Sequence, residues 1–437
     1  MAVPTGSNVQ FAPFWLQNKS EFQNLLAAVA LDLAGRGLIP AEELLGVYEL
    51  MNGREISARI LGAEAARMNG GSAILARCAS HSLALERNLK VFFFIETERK
   101  GRLAFLDAQG GMVRLLDLPE IDISDLGVLK SNLRQAFKKA NPADLSRLDK
   151  KLAGWEELSR QLGAALAPHL QPGAHIYFLP GRAFTGLPLH LLAMPDGRPL
   201  VEWNPVSLAP NFAVLLEAGA RETDDHRDGL AIVTVTKAAD SLEFKQNALK
   251  AGRDLVTLLD PHTPVNWLQE QQADLAAVKT ALGAASEVIF LCHGTTAGPD
   301  KGYGICLAAG GLLPPTILSV REVPEHLRFI LNWEDIEQSP PTFVSIACSS
   351  GITEMAKGGV RFGLEQTLFS SGTTRIISPL WDVNQESSLY WVQAFYRARQ
   401  SEPVCSIEEA YQQACLETRQ LYPHYYFWGP FMINGAL

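Results

Sequence analysis

Two short apolar runs, each ending in one reactive side chain, constrain this chain more than any other feature. The first reads Glu287-Val288-Ile289-Phe290-Leu291-Cys292 and is followed by His293-Gly294. The second reads Thr342-Phe343-Val344-Ser345-Ile346-Ala347 and is followed by Cys348-Ser349-Ser350-Gly351. Both are rich in β-branched and aromatic residues, as buried parallel strands are. In an open α/β sheet, chemistry gathers beyond the carboxyl ends of neighbouring strands. If these two strands are neighbours, His293 and Cys348 meet there as base and nucleophile.

The chemistry needs both residues. A thiol with a reference pKa near ~8.5 is only slightly ionised at neutral pH, and an adjacent imidazole removes its proton during attack. Small residues follow each candidate, so a peptide carbonyl can approach, and the backbone amides of Gly294 and Cys348 could hold a developing oxyanion. The competing reading is a small buried cysteine and a hydrogen-bonded core histidine. Strand alternation points Cys292 to the opposite face from His293, into the core. Cys78, Cys306, Cys405 and Cys415 are read as core residues too.

Length and composition bound the alternatives. A chain of 437 residues suggests two to three structural units. With 47% hydrophobic and 19% charged residues it can bury a large core. A net charge of −9 with no basic stripe argues against nucleic acid. The six cysteines lack metal-type spacing, and no metal or organic cofactor is expected. No signal-peptide pattern opens the chain, and no apolar stretch approaches the ~18 residues of a membrane span. The expectation is a cytoplasmic protein with no membrane association.

In order, residues 1–88 read as helices, with a capping box at Ser20/Gln23, a start at Pro40, and further helices at 56–68 and 72–89. They are read as a docking or regulatory region. Residues 89–173 read as a three-strand meander (Val91–Ile95, Arg102–Leu106, Met112–Leu116) plus two helices, 124–139 and 143–166. Residues 174–437 alternate strand and helix, which implies parallel strands with helical crossovers. Strands are expected at 175–180, 230–236, 255–259, 288–292, 342–347 and 375–378. Helices are expected at 241–251, 267–282, 360–370, 385–399 and 406–421. The aromatic run Tyr425–Ile433 is expected to be a closing strand. The fold class is therefore α/β, a sheet of mostly parallel strands with flanking helices, preceded by a helical N-terminal region.

Several ordered blocks resemble one family. They are the Phe-rich meander, His175–Pro188, His293-Gly294 through Leu307, Ala347–Gly351, Ser378-Pro379-Leu380-Trp381-Asp382-Val383, and Tyr425-Tyr426-Phe427-Trp428-Gly429-Pro430-Phe431. In this order they resemble the CHAT peptidases, caspase-like cysteine proteases of the clan that includes separase. The resemblance covers about Lys90 to the C-terminus. It implies a caspase-like fold, with 174–437 as the catalytic unit and 89–173 as a pseudo-protease-like half. His293 and Cys348 fall on the family's catalytic positions. The family commonly carries Glu-Thr-Gly after the Ala-Cys pair, where this chain has Ser349-Ser350-Gly351. Where the family commonly has an acidic residue two after Val383, this chain has Gln385. Both departures concern the specificity pocket.

Asp382 has two readings. Its Trp-Asp-Val context resembles separase, whose pocket takes a basic residue before the cut, and an aspartate there would pair an arginine. Otherwise it is a solvated aspartate at a helix start. Trp381 is expected to pack beneath the site. The leading expectation is a conditionally activated endopeptidase of bacterial defence or cell death. A gasdermin-like pore former is a substrate class implied by the resemblance, and residues 1–88 would receive an activating partner. The alternatives are a non-catalytic scaffold of the same fold and a small-molecule thiol hydrolase.

Overall fold

A computed structural model of the chain describes residues 12–52, 70–97, 99–116, 121–138, 140–216, 229–236, 242–259, 262–296, 303–307, 317–319, 341–348, 350–351, 354–355, 361–362, 365, 368–369, 372–401 and 405–436. Helices α1 (Ala12–Gly35), α2 (Glu43–Asn52) and α3 (Gly71–Ala84) come first. Strands β1 (Leu89–Glu96), β2 (Lys100–Asp107), β3 (Met112–Leu115) and β4 (Ile121–Asp122) form an antiparallel group. Helices α4 (Ile123–Lys138) and α5 (Ser146–Leu166) lead to β5 (His175–Leu179) and β6 (Val206–Leu208). Then come β7 (Leu230–Val235), α6 (Leu242–Leu258), β8 (Val265–Gln269), α7 (Leu275–Ala284) and β9 (Glu287–Cys292). Strands β10 (Gly294–Thr296), β11 (Tyr303–Cys306) and β12 (Ile317–Ser319) form a small antiparallel sheet. The chain continues with β13 (Thr342–Ser345), β14 (Glu354–Met355), β15 (Arg361–Phe362) and β16 (Arg375–Pro379). It closes with α8 (Gln385–Arg399), α9 (Ile407–Leu421), α10 (Tyr425–Trp428) and β17 (Phe431–Gly435).

Twelve of these strands form one mixed sheet in the order β3-β2-β1-β5-β6-β17-β16-β13-β9-β7-β8, with β4 beside β2. Most pairings are parallel, as the strand–helix alternation requires. Alternate residues of each strand go to opposite faces. Phe92 and Phe94 join Phe178 in one core under α4, α5, α8 and α9. Val91, Phe93 and Ile95 face the other way, onto Leu44, Leu45 and Tyr48 of α2. Farther along that second face, Val288, Phe290 and Phe343 pack against Val278 and Leu282 of α7. Both faces are covered, which is why the strands read as continuous apolar runs.

The N-terminal helices are one of these covering layers. Tyr48 Oη donates to Pro210 O at 3.3 Å and accepts from Gly181 N at 3.2 Å. The Glu49 carboxylate accepts from Phe212 N at 2.8 Å. At the amino ends of the parallel strands, Glu408 of α9 is 2% exposed. It pairs with Arg87 at 3.3 Å and Arg375 at 3.6 Å, and accepts from Tyr177 Oη at 3.3 Å. Burial alone would raise its carboxyl, but Arg375 and Arg87 together hold it below its ordinary value. One side chain thus ties β5, β16, α9 and the link before β1.

Four local expectations change. Residues 255–259 are not a strand: α6 runs to Leu258, because Ala248, Ala251, Leu255 and Leu259 are buried at helical spacing. The strand is β8, where a helix was expected, and α7 starts later because Asp274 caps it, accepting from Ala277 N. Ser20 lies inside α1, and Gln23 donates to Met51 O at 3.1 Å instead of closing a capping box. The real box is at Ser406 and Glu409, opening α9. Arg361 and Phe362 pair as β15 with β14, and helical geometry appears at Glu365, Leu368 and Phe369. The expected helix at 56–68 lies outside the described residues.

One buried histidine gives the fold an acid limit. His190 is 1% exposed, and its Nε2 donates to Gly429 O at 2.9 Å. Burial pushes this imidazole down to about 4 from 6.5. The folded state keeps it neutral where the unfolded chain takes up a proton. Its contribution is therefore intact above ~6.5, and roughly 3 kcal/mol is lost as pH falls from there towards 4. Urea denaturation across that range should show a shallower acid slope for His190→Gln than for the wild type. Equal slopes would contradict this linkage.

Candidate active site

Strand β13 lies between β9 and β16. Thr342 is level with Glu287 and Ser345 with Phe290 in a parallel ladder. The ladder continues past the last paired residue, since Ile346 N donates to Phe290 O at 3.0 Å. The backbones meet beyond the strand ends: a Cβ added to Gly294 would lie 2.0 Å from Cys348 O and 2.9 Å from Cys348 N. Only glycine tolerates that approach.

A polar turn presents Cys348. Ser345 Oγ accepts from Ala347 N at 3.1 Å and is bonded to Ser350 Oγ at 3.0 Å. Ser350 N donates to Ala347 O at 3.1 Å, closing the turn. Gly351 N donates to Pro379 O at 2.9 Å, docking the turn on β16. A Cβ at Gly351 would sit 2.7 Å from Ser378 Oγ, so this glycine is fixed by packing. Ser345 and Ser350 are buried while Cys348 is partly exposed. Two buried, mutually bonded serines thus flank a partly exposed cysteine.

The other cysteines differ. Cys292 is buried in the α7 core, and its Sγ donates to Val233 O at 3.3 Å, as strand alternation implies. Burial pushes the Cys78 and Cys415 thiols up to about 12. Cys405 is half-buried, and burial, with Glu409 adding to it, raises its thiol. The side chain of Cys306 lies outside the described residues.

Asp382 is partly exposed and does not cap α8; that role falls to Asn384, whose side chain accepts from Ser387 N at 3.1 Å. Trp381 is 4% exposed and stacks on Phe137 at 4.0 Å. Its Nε1 donates to Tyr426 O at 3.1 Å, which ties it to α10. Tyr426 was not legible as a neighbour of the site. Burial raises its hydroxyl above the ordinary value, and the negative forms of Cys348 and Asp382 push the same way. Cys348 and Asp382 therefore each lie within electrostatic reach of Tyr426. The aromatic run reads as a strand, but Tyr425–Trp428 is a helical turn and the strand starts at Phe431. A turn aims adjacent tyrosines differently from the strict alternation of a strand, and Gly429-Pro430 was the available signal for that break.

Among the described residues, no group of three or more His, Cys, Asp or Glu could hold a metal ion. No helix among them is long and apolar enough to cross a membrane.

The CHAT domain profile matches residues 153–436. The chain belongs to the CHAT-domain family. Its fold is similar to that of Saccharomyces cerevisiae separase, a caspase-like cysteine protease, in two crystal structures of the separase–securin complex. In the 3.0 Å structure the match has a TM-score of 0.57 at 10% identity, covering 90% of this chain and 34% of separase. In the 2.6 Å structure the TM-score is 0.51 at 10% identity, covering 86% and 32%. The CHAT chain thus spans about a third of the length of the separase chains it matches. At this identity the likeness concerns the fold, which is caspase-like. No curated protein sequence gives a significant match.

The close approach at Gly294 can be tested on stability. Gly294→Ala should cost about 1–3 kcal/mol through overpacking. Gly127→Ala, where a Cβ meets nothing within 4 Å, should be neutral or stabilising in α4. Urea denaturation of both variants checks this, and equal effects would contradict the contact.

Proposed function

We propose that this CHAT protein is a cysteine endopeptidase in which Cys348 is the nucleophile and His293 the general base. The observation that best supports this reading is the parallel pairing of β9 and β13, with Gly294, the residue after His293, against the Cys348 backbone beyond their carboxyl ends. His293 takes the thiol proton as sulfur attacks the peptide carbonyl, and returns it to the departing amine. Water then releases the acyl group from Cys348, with His293 again accepting a proton. The amides of Gly294 and Cys348 are assigned to the oxyanion that forms in each step. Asp382 is assigned to bind a basic side chain before the cut. Its partial exposure and its electrostatic reach to Tyr426, which Cys348 also reaches, support that role.

Residues 174–437 are proposed as the catalytic unit and 89–173 as its pseudo-protease-like half. Residues 1–88 are proposed to receive an activating protein partner. Phe22, Leu25 and Val29 on α1 support this, being 62%, 64% and 47% exposed at helical spacing. Separase in the matched structures is bound to securin. A cytoplasmic setting, a defence or cell-death role and a gasdermin-like substrate complete the proposal.

Digestion of a diverse peptide library by the wild type, Cys348→Ala and Asp382→Asn tests the reading. The wild type should cut after arginine or lysine, and Cys348→Ala should lose at least a thousandfold in kcat/KM. Asp382→Asn should lose at least tenfold on arginine sites. Cutting that survives in Cys348→Ala contradicts the nucleophile; cutting after other residues contradicts Asp382.

A further inference from the structure

Ser345 interrupts the apolar run from Phe343 to Ala347. Phe343 and Ala347, on the same face of the strand, belong to the core packed against α7, and Ser345 is buried between them. A hydroxyl in such a place is unfavourable unless it is bonded. Its Oγ accepts from Ala347 N at 3.1 Å and is bonded to Ser350 Oγ at 3.0 Å. The first of these bonds claims a backbone donor that would otherwise extend the ladder beyond Ile346, as a serine two residues back can do. The chain leaves the sheet there. Ala347 O then accepts from Ser350 N at 3.1 Å, closing a turn with Cys348 at its second position.

Three bonds thus form a ring around one stretch of backbone. Ser345 Oγ holds Ala347 N, Ser350 N holds Ala347 O, and the two hydroxyls hold each other. Ser345, Ala347 and Ser350 are all buried, where such bonds are strongest. A trans peptide is planar, with its N–H opposed to its C=O. Fixing Ala347 O inside the turn therefore aims the Cys348 N–H out of it. We propose that Ser345 and Ser350 are positioning residues for acyl transfer: their hydroxyl pair holds the 347–348 peptide so that the Cys348 amide meets the oxyanion. The role rests on the reading of Cys348 as the nucleophile, and it assigns the setting of the amide to two side chains outside the His293–Cys348 pair.

Two small reagents separate this role from simple support of the thiol. Iodoacetamide loses iodide from a saturated carbon as the C–S bond forms, and no oxyanion arises. p-Nitrophenyl acetate is attacked at its carbonyl. The Cys348 sulfur bonds to carbon, an oxyanion forms, and p-nitrophenolate leaves as the thioester is made, the thiol proton passing to His293. Both rates are read at Cys348 by mass spectrometry on the full chain, for the wild type, Ser345→Ala, Ser350→Ala and the double variant. Each alanine variant should slow acetylation at least fivefold while alkylation stays within twofold. The double variant should match Ser345→Ala, because Ser350 acts through Ser345. Protection of the buried Cys78 and Cys415 checks that each variant is folded. Ser350→Ala, which keeps the bond to Ala347 N, carries the test if Ser345→Ala does not fold. Equal falls in both rates, unchanged acetylation, or a further loss in the double variant would each overturn the proposal. A wild type in which neither reagent prefers Cys348 to Cys405 contradicts the nucleophile itself, so the two failures are told apart.

Discussion

The parallel register between β9 and β13 is the constraint on which the rest of the site depends. Beyond the paired residues it brings Gly294 against the Cys348 backbone. A slip of one residue would turn His293 to the face now taken by Cys292, and Cys292 to the side of the thiol. The register is held because each strand is buried on both faces. Val288 and Phe290 must meet α7 while Ile289 and Leu291 meet the opposite core. Core packing thus sets the spacing of two groups that extend beyond it.

Rigidity at the strand ends comes from polar contacts. Ser345, Ser350, Gly351 and Pro379 fix the turn that carries Cys348. Just after β16, Trp381 is held by its bond to Tyr426 O and its stack on Phe137. At the other end of the sheet, Glu408 gathers Arg87, Arg375 and Tyr177. Removing one partner from such a buried group strands a charge, at a cost of roughly 3–5 kcal/mol. The antiparallel half, the parallel half and the closing helix are thereby held in one body.

The sheet was legible because fully buried strands leave continuous apolar runs. The meander, β5, β7, β9, β13 and β16 all carry that signal. That β9 and β13 are neighbours was legible for the same reason: strands of an α/β sheet carry their chemistry at adjoining ends. Leu255–Leu259 misled because a short apolar run cannot separate a buried helix end from a strand. Val265–Gln269 was obscured because this edge strand is half-buried and polar, and its Trp267 is bonded to Thr234 Oγ1 at 3.0 Å. Tyr426 was missed because its role depends on a four-residue turn inserted in an aromatic run.

The central claim is that one thiol, at one strand end, is activated by one imidazole. The most direct measurement is residue-resolved alkylation by iodoacetamide across pH, read by mass spectrometry, for the wild type and His293→Ala. The account predicts that Cys348 reacts fastest of all the cysteines, and that His293→Ala slows Cys348 at least tenfold near pH 7 while leaving Cys405 unchanged. Cys348 reacting no faster than Cys405, or equally fast without His293, would contradict it.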